Sequence, residues 1–222
     1  MLWLLACSEP LPDDADGLMH AAWQAWEDQD DDRLADAINA LALEDGEGEL
    51  TPLTETPGVM LVNPLIGCSL AQVEDIVIEL DQAALFDIFE HYDRWYTSDL
   101  DDWQEQRVPL TWQSDYGFAI PLSGSADASL LGEMRAPVED MRVAVNVLAA
   151  PAEWEDEGSV FDEDFRIEAW TLRDEQVVHV EGLWRHMDAG AYNTENDAVR
   201  DLVRNGLVDW DEQMMTLCED GW

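Results

Sequence analysis

The sequence predicts an α+β fold, in which an N-terminal helical hairpin precedes an antiparallel sheet and a long C-terminal helix. Apolar residues recur at helical spacing within 17–44, strand-like segments separated by turn residues fill 108–185, and one apolar face runs along 195–218. With 222 residues, 47% of them hydrophobic, the chain is large and apolar enough to bury one sizeable core.

The helical hairpin is assigned to 17–44. Trp23 and Trp26 continue an apolar stripe at three- and four-residue spacing, and Leu34 and Ile38 continue a second stripe after an acidic break. Two short amphipathic helices joined by a polar turn are the expected result.

An acidic linker is assigned to 45–58, because Gly, Pro and acidic residues dominate it. From residue 59 onward the pattern predicts mixed α and β structure, in a domain that spans 59–222. The first elements expected there are a strand at 59–62, a β-branched strand at 73–80, a helix at 81–92 and a short helix at 99–106.

A series of strands follows, separated by Gly, Ser and Pro, with a tight turn predicted at Arg173–Asp174. Val199, Leu207 and Met214 then recur on one face of the predicted C-terminal helix. The strands are predicted at 108–113, 116–122, 129–135, 139–149, 164–173 and 175–185.

This order of elements resembles the helix-grip fold of the START-like superfamily. Residues 76–80 followed by 82–95 are similar to its opening strand and helices, and 195–218 is similar to its last helix; the resemblance covers 73–218. It implies a curved sheet packed on the C-terminal helix around an apolar cavity, and the binding of lipids or other hydrophobic small molecules. Some members are enzymes. A cystatin-like cone is the nearest alternative, but it usually places its long helix first.

The N-terminus resembles a bacterial lipobox, Leu4-Leu5-Ala6-Cys7. Residues 1–7 are then a partial lipoprotein signal, Cys7 the lipidated residue and 8–16 a polar tether. This implies a cell-envelope lipoprotein, anchored to the outer membrane by its lipid and facing the periplasm or the exterior. Export signals have a basic segment and about 7–15 apolar residues, whereas only six residues precede Cys7 and none of them is basic. Either the start codon is assigned too late, or the segment is an ordinary apolar N-terminus with a buried cysteine.

The charge is extreme, with 51 acidic against 10 basic residues and a net charge of −41. Such a surface repels phosphate backbones, which excludes nucleic acid as a partner. The basic residues are all Arg, so reactions that need a Lys, such as Schiff-base formation, are excluded. No catalytic residue and no cofactor is assigned.

Cysteine usage predicts a disulfide. If Cys7 is acylated, Cys68 and Cys218 remain in an oxidising compartment and can pair. Two buried free thiols are the alternative.

Tryptophan is abundant, with 11 residues. Within the mixed domain the indole rings are candidates to line a cavity for a hydrophobic ligand, and a bulky core is the alternative. The candidate ligand-binding residues are Trp112, Trp170, Trp184 and Trp210.

His179 and Glu181 are the candidate metal ligands, because residues two apart on a strand share a face. Arg185 lies on the same face and would oppose a cation, and a third ligand is not evident. A solvent-facing polar strand face is the alternative. Weak Ca²⁺ binding is a further hypothesis for the acidic stretches 45–49 and 153–157, although neither has the spacing of an EF-hand loop.

The sequence therefore predicts an envelope lipoprotein with a non-enzymatic role, either binding a hydrophobic small molecule or serving as an interaction module. The alternative is an extracytoplasmic hydrolase that uses acidic residues in a cleft.

Overall fold

The structure is a computed structural model, and it describes residues 10–44, 46–86, 90–120, 124–154 and 158–222. Within these residues the chain forms six helices and ten strands, and all the strands belong to one antiparallel sheet. A large antiparallel sheet combined with a long C-terminal helix confirms the predicted α+β class.

The helices are α1 (Ala15–Glu27), α2 (Asp31–Leu41), α3 (Leu70–Ile78), α4 (Gln82–Leu85), α5 (Leu100–Gln106) and α6 (Asp197–Glu219). The strands are β1 (Gly46–Leu53), β2 (Thr56–Leu65), β3 (His91–Tyr96), β4 (Leu110–Ile120), β5 (Gly124–Arg135), β6 (Met141–Leu148), β7 (Glu153–Trp154), β8 (Val160–Arg173), β9 (Gln176–Ala189) and β10 (Tyr192–Asn193). The sheet order is β1-β2-β9-β8-β6-β5-β4-β3, with β10 beside β9 and β7 beside β5.

Short polar side chains begin the helices. Asp14, Asp30 and Asn196 accept backbone N–H groups at the starts of α1, α2 and α6, and Ser69 forms a capping box with Gln72 at α3. The helix predicted at 195–218 therefore forms as α6, whereas the hairpin predicted at 17–44 is shown in part, since α1 begins at Ala15 and α2 ends at Leu41.

The two faces of the sheet differ, and β9 shows the alternation most clearly. We call the face that carries Val178 and Val180 the helix-pair face, because α1 and α2 pack on it. We call the face that carries His179 and Glu181 the cavity face, because α6 packs on it. Side chains two apart share a face, so one strand serves both layers.

Close packing joins the helix pair to the sheet. Met19, Leu34 and Ile38 are completely buried in a core shared with β2, β6, β8 and β9. A Cβ on Gly182 of β9 would lie 2.6 Å from Met19 Sδ, so the missing side chain lets α1 approach the strand.

The prediction of an acidic linker at 45–58 was wrong for residues 46–58, the part that the structure describes. β1 and the start of β2 occupy 46–58 and pair as an antiparallel edge. Leu50 is buried against the helix pair, whereas the acidic residues beside it face solvent. The acidic residues of this mostly exposed edge strand made it resemble a linker in the sequence.

Two other predicted elements were wrong. Residues 70–78 form α3 rather than the strand expected at 73–80, because Ser69 caps a helix that buries Val73 and Ile76. Of the described residues in the helix expected at 81–92, only those of α4 are helical, and β3 begins at His91. The START-like resemblance was based in part on a strand at 76–80, and these residues do not form one. Membership of that superfamily stays a prediction.

The later strands agree better with the sequence. β4 joins the two strands expected at 108–113 and 116–122 into one. β8 and β9 form the predicted hairpin, but its turn is Asp174–Glu175, one residue beyond the expected position. Both turn residues have positive φ, 49° and 67°, as a two-residue hairpin turn requires.

Candidate functional site

A cavity of about 400 Å³ lies between the cavity face and α6. This volume is within the range of about 300–1,000 Å³ that is typical of small-molecule sites. Much of its wall is apolar and comes from the central strands, including Trp112, Phe118, Leu130, Phe161, Leu183 and Met187.

The mouth of the cavity lies along α6. Leu202, Gly206 and Trp210 follow one another at four-residue spacing and all line the cavity, yet Leu202 is 60% exposed. A Cβ built on Gly206 would meet no other atom within 4 Å. The glycine therefore leaves a gap in this row of side chains, next to open space.

Arg94 brings a positive charge to the wall of the cavity. Its guanidinium donates to the Tyr92 hydroxyl and, from Nη1 at 2.6 Å, to the Val77 carbonyl, and it lies 5.0 Å from the Trp112 ring centroid. It forms no ion pair with any carboxylate of the described residues. A guanidinium held by neutral groups keeps its full charge for a ligand.

A second arginine of the wall is neutralised. Arg185 donates to both oxygens of Asp164, at 2.9 and 3.0 Å, and this carboxylate outweighs the effect of burial and raises the pKa of Arg185. For Tyr116, burial itself raises the pKa, so the phenol hydroxyl stays protonated. This part of the wall is polar but carries no net charge.

A buried charged cluster continues from the cavity wall toward β2. It consists of Arg166, Glu168, His179, Glu181 and Asp211, and we call it the His179 cluster. Arg166 Nε donates to Glu181 Oε1 at 2.6 Å, and its Nη2 lies 3.0 Å from Glu168 Oε1. His179 Nδ1 lies 2.7 Å from Asp211 Oδ1.

The strand register brings this cluster together. Glu168 of β8 is directly opposite Glu181 of β9, and Trp170 is opposite His179. The rings of Trp170 and His179 stack with their centroids 5.2 Å apart. Asp211 comes from α6 and also accepts a hydrogen bond from Asn63 Nδ2 of β2, at 2.8 Å. Three elements thus converge on one imidazole.

Burial and charge shift the protonation of the cluster. Burial alone would lower the pKa of His179, but Asp211 outweighs it and raises the pKa to about 9. Burial raises the pKa of Glu181 above its ordinary value, against the opposing effect of Arg166. The carboxylates of Glu168 and Glu181 in turn raise the pKa of Arg166, against the effect of its own burial.

The candidate tryptophans separate into two groups. Trp112 and Trp210 line the cavity. Trp170 instead stacks on His179, and Trp184 lies on the helix-pair face, where it packs edge-on against Trp23. Trp112 and Trp210 stay candidates for ligand binding. Trp170 and Trp184 instead belong to the protein core, which was the alternative for these tryptophans.

The candidate metal ligands His179 and Glu181 do share a face, as expected, but that face is not exposed to solvent. Both side chains are completely buried, because α6 covers them. Glu168 completes a set of three possible ligands with His179 and Glu181, and the sequence analysis did not identify it. Arg185 forms an ion pair with Asp164 and not with this cluster. A hairpin register drawn from the predicted turn could have found Glu168.

The predicted disulfide is confirmed. Cys68 lies just before α3 and Cys218 near the end of α6, with their Cα atoms 5.2 Å apart. The lipidation residue Cys7 lies outside the described residues, as do Asp45 and 155–157 of the acidic stretches considered for Ca²⁺. Lipidation and weak Ca²⁺ binding stay predictions.

No protein-family model matches this chain, and no curated protein matches it. Among the helices formed by the described residues, none is both long and apolar enough to cross a membrane. The cavity and the His179 cluster therefore carry the functional assignment by their own chemistry.

Proposed function

We propose that this protein binds a small amphipathic molecule in the cavity beneath α6, without catalysing its conversion. The apolar body of the ligand lies against the aromatic wall, and an anionic group accepts hydrogen bonds from Arg94. One observation carries the proposal: a cavity of about 400 Å³ with a largely apolar wall also contains a guanidinium that no described carboxylate neutralises.

The lack of a carboxylate partner for Arg94 among the described residues is unusual for this acidic chain. In a chain with 51 acidic residues, most guanidinium groups have a carboxylate within reach, as Arg185 does with Asp164. Arg94 is instead oriented by the Tyr92 hydroxyl and two backbone carbonyls. A ligand carboxylate would provide the missing counter-charge through a charge-assisted hydrogen bond.

The test compares three probes with one alkyl chain, decanoate, decanol and decylamine, by isothermal titration of the full chain. We expect decanoate to bind tightest, because only its head group can pair with Arg94. Arg94→Met should remove the difference between decanoate and decanol, whereas Arg204→Met, which changes a cation outside the cavity wall, should preserve it. Tightest binding of decylamine, or no binding of any probe, would contradict the proposal.

The cavity mouth provides a second test. Gly206→Phe should obstruct the gap between Leu202 and Trp210 and slow the association of decanoate, while Gly206→Ala should leave association unchanged. Both replacements remove a helical glycine, which is worth about 0.5–1 kcal/mol of helix stability for alanine. Slower association with a melting temperature that has not fallen would thus report obstruction rather than unfolding.

We also propose that the protein acts in the cell envelope, held by a lipid on Cys7. The lipobox-like segment and the polar tether after it support this. Intact-mass analysis after bacterial expression from an extended upstream start should show diacylglyceryl mass that Cys7→Ser abolishes. A soluble chain that retains residues 1–6 would refute it.

A further inference from the structure

Two buried polar atoms of the His179 cluster have no hydrogen-bond partner in the described part of the chain. They are His179 Nε2 and Glu181 Oε2, which lie 4.0 Å apart. Both side chains are fully buried. A buried acceptor or donor without a partner destabilises the fold, so this pair calls for a ligand that the protein side chains do not supply.

We propose that Glu168, His179 and Glu181 bind one divalent transition-metal ion of the Zn²⁺ and Mn²⁺ class. The set of one imidazole and two carboxylates suits these ions, whereas Mg²⁺ and Ca²⁺ prefer oxygen ligands alone. The site is independent of the ligand proposed for the cavity.

The geometry fits an ion of this size. One ligand atom from each of the three residues lies within 4.8 Å of the other two. His179 Nε2 is 3.9 Å from Glu168 Oε1 and 4.0 Å from Glu181 Oε2. An ion equidistant from three atoms at such separations lies about 2.3–2.5 Å from each, so side-chain shifts of a few tenths of an ångström bring it to the usual Zn–N and Zn–O bond lengths of about 2.0–2.2 Å.

The surrounding groups orient the ligands. Asp211 occupies Nδ1 of His179, so the Nε2 atom is the one that remains for a metal, and Asn63 in turn holds the second oxygen of Asp211. Arg166 occupies Oε1 of Glu181 and leaves Oε2 uncovered. A carboxylate behind a ligating histidine is a regular feature of zinc sites.

Charge points the same way. When a metal ion replaces the proton on His179 Nε2, the imidazole is neutral, and the three carboxylates of Glu168, Glu181 and Asp211 exceed the single guanidinium of Arg166 by two negative charges. A divalent ion balances that excess in an interior where uncompensated charge is costly. Glu168 also lines the cavity, so the ion would lie beside the cavity wall.

The direct experiment titrates the full chain with ZnCl₂ and with MnCl₂ after removal of metals by chelator. The titrations are made in 1 M NaCl, which reduces the Debye length to about 3 Å and suppresses loose binding to the acidic surface. We expect saturable binding of one ion per chain. Binding that is absent, or that never saturates, overturns the proposal.

Matched variants locate the ion. Glu181→Gln and His179→Gln each remove a ligand and should abolish saturable binding. Their controls are Glu74→Gln, which neutralises a buried carboxylate of a different ion-pair network, and His186→Gln, which removes a partly exposed imidazole; both should bind as the parent does. Asp211→Asn acts only through His179 and should weaken binding by about 10–100-fold. Equal affinity in Glu181→Gln and in the parent overturns the proposal.

A measurement on the unaltered chain covers the case in which a variant fails to fold. The protein has four histidines, and ¹H–¹⁵N spectra of their rings distinguish the nitrogen atoms. Zn²⁺ should change the Nε2 signal of His179 at one equivalent and leave His20, His91 and His186 unaffected. A spectrum in which only those three rings respond assigns the ion to the surface and overturns the proposal.

Discussion

The two faces of the sheet pose opposite physical problems to the same strands. On the helix-pair face, Val178 and Val180 pack against apolar helices in a continuous hydrophobic core. On the cavity face, the neighbouring residues His179 and Glu181 are equally buried, but they need ion pairs. Burial alone therefore does not distinguish a structural face from a functional one. What distinguishes them is whether each buried group is already satisfied.

The difference separates the face that stabilises the fold by packing from the face to which we assign ligand binding as a proposal. Hydrophobic packing on the helix-pair face stabilises the fold without a ligand, at about 25 cal/mol per Å² of buried apolar surface. The cavity face retains an unfilled volume and an arginine without a described carboxylate partner. It also retains buried polar atoms that have no hydrogen-bond partner among the described residues. Such features cost stability, and proteins retain them mainly at functional sites.

The largest expected effect comes from the disulfide, which links α6 on the cavity face to the segment before α3. Cys68 and Cys218 are separated by 150 residues, and the loop-entropy model assigns about 5 kcal/mol to a closure of that length. A chain with Cys68→Ser and Cys218→Ser should have a free energy of unfolding that is lower by that amount, or by less if the denatured state retains structure, and its urea midpoint should fall accordingly. An unchanged midpoint would show that α6 is held to the sheet by packing alone.

Leucine truncation compares the two faces directly. Leu34 on the helix-pair face and Leu207 at the cavity are both buried and both lie in helices. Leu34→Ala should cost about 3–5 kcal/mol, because the dense core cannot collapse, whereas Leu207→Ala should cost nearer 2 kcal/mol, because it enlarges a space that already exists. Urea unfolding measures both. Equal losses would mean that the cavity face is packed as tightly as the other.

The smallest of these effects concerns pH and a satisfied carboxylate of the cavity face. Burial alone would raise the pKa of Glu74, but hydrogen bonds from Arg107 and Arg142 outweigh it, and the folded pKa lies below the unfolded value of 4.5. The carboxylate therefore stabilises the fold above pH 4.5 and loses this contribution as the pH falls through the folded pKa. Glu74→Gln should cost about 1–3 kcal/mol at pH 7.

The difference in unfolding free energy between Glu74→Gln and the parent isolates this group from the many other carboxylates. It should shrink as the pH is lowered below 4.5. A difference that stays constant with pH would show that Glu74 acts by packing rather than by charge.

Much of the fold was predictable because its signals are local. The amphipathic spacing of α1, α2 and α6 and the turn-bounded strands β5, β6, β8 and β9 depend on periodicity that a single sequence displays. α3 was not predictable in this way, since its run Ile76-Val77-Ile78 favours a strand and only its cap at Ser69 and its packing make it helical. β1 failed for a related reason: its acidic residues lie on an exposed edge.

The candidate site was predictable only in part. Strand alternation placed His179 and Glu181 on one face, but their complete burial depends on α6, whose docking no local pattern reveals. Glu168 was missed although either turn position places it on the face of His179 and Glu181; the actual turn at Asp174–Glu175 sets it opposite Glu181. Asp211 is distant in sequence and was one acidic residue among 51.

The hairpin of β8 and β9 has a consequence for how the buried charges are assembled during folding. Arg166 and Glu181 are 15 residues apart in the chain, whereas His179 and Asp211 are 32 apart. Short loops close faster, and hairpins form within about 1–10 μs, so the two strands should bring their charged groups together while water still surrounds them. The docking of α6 then dehydrates the assembled groups in a late step, which spares the chain from desolvating any of these charges before its partner has arrived.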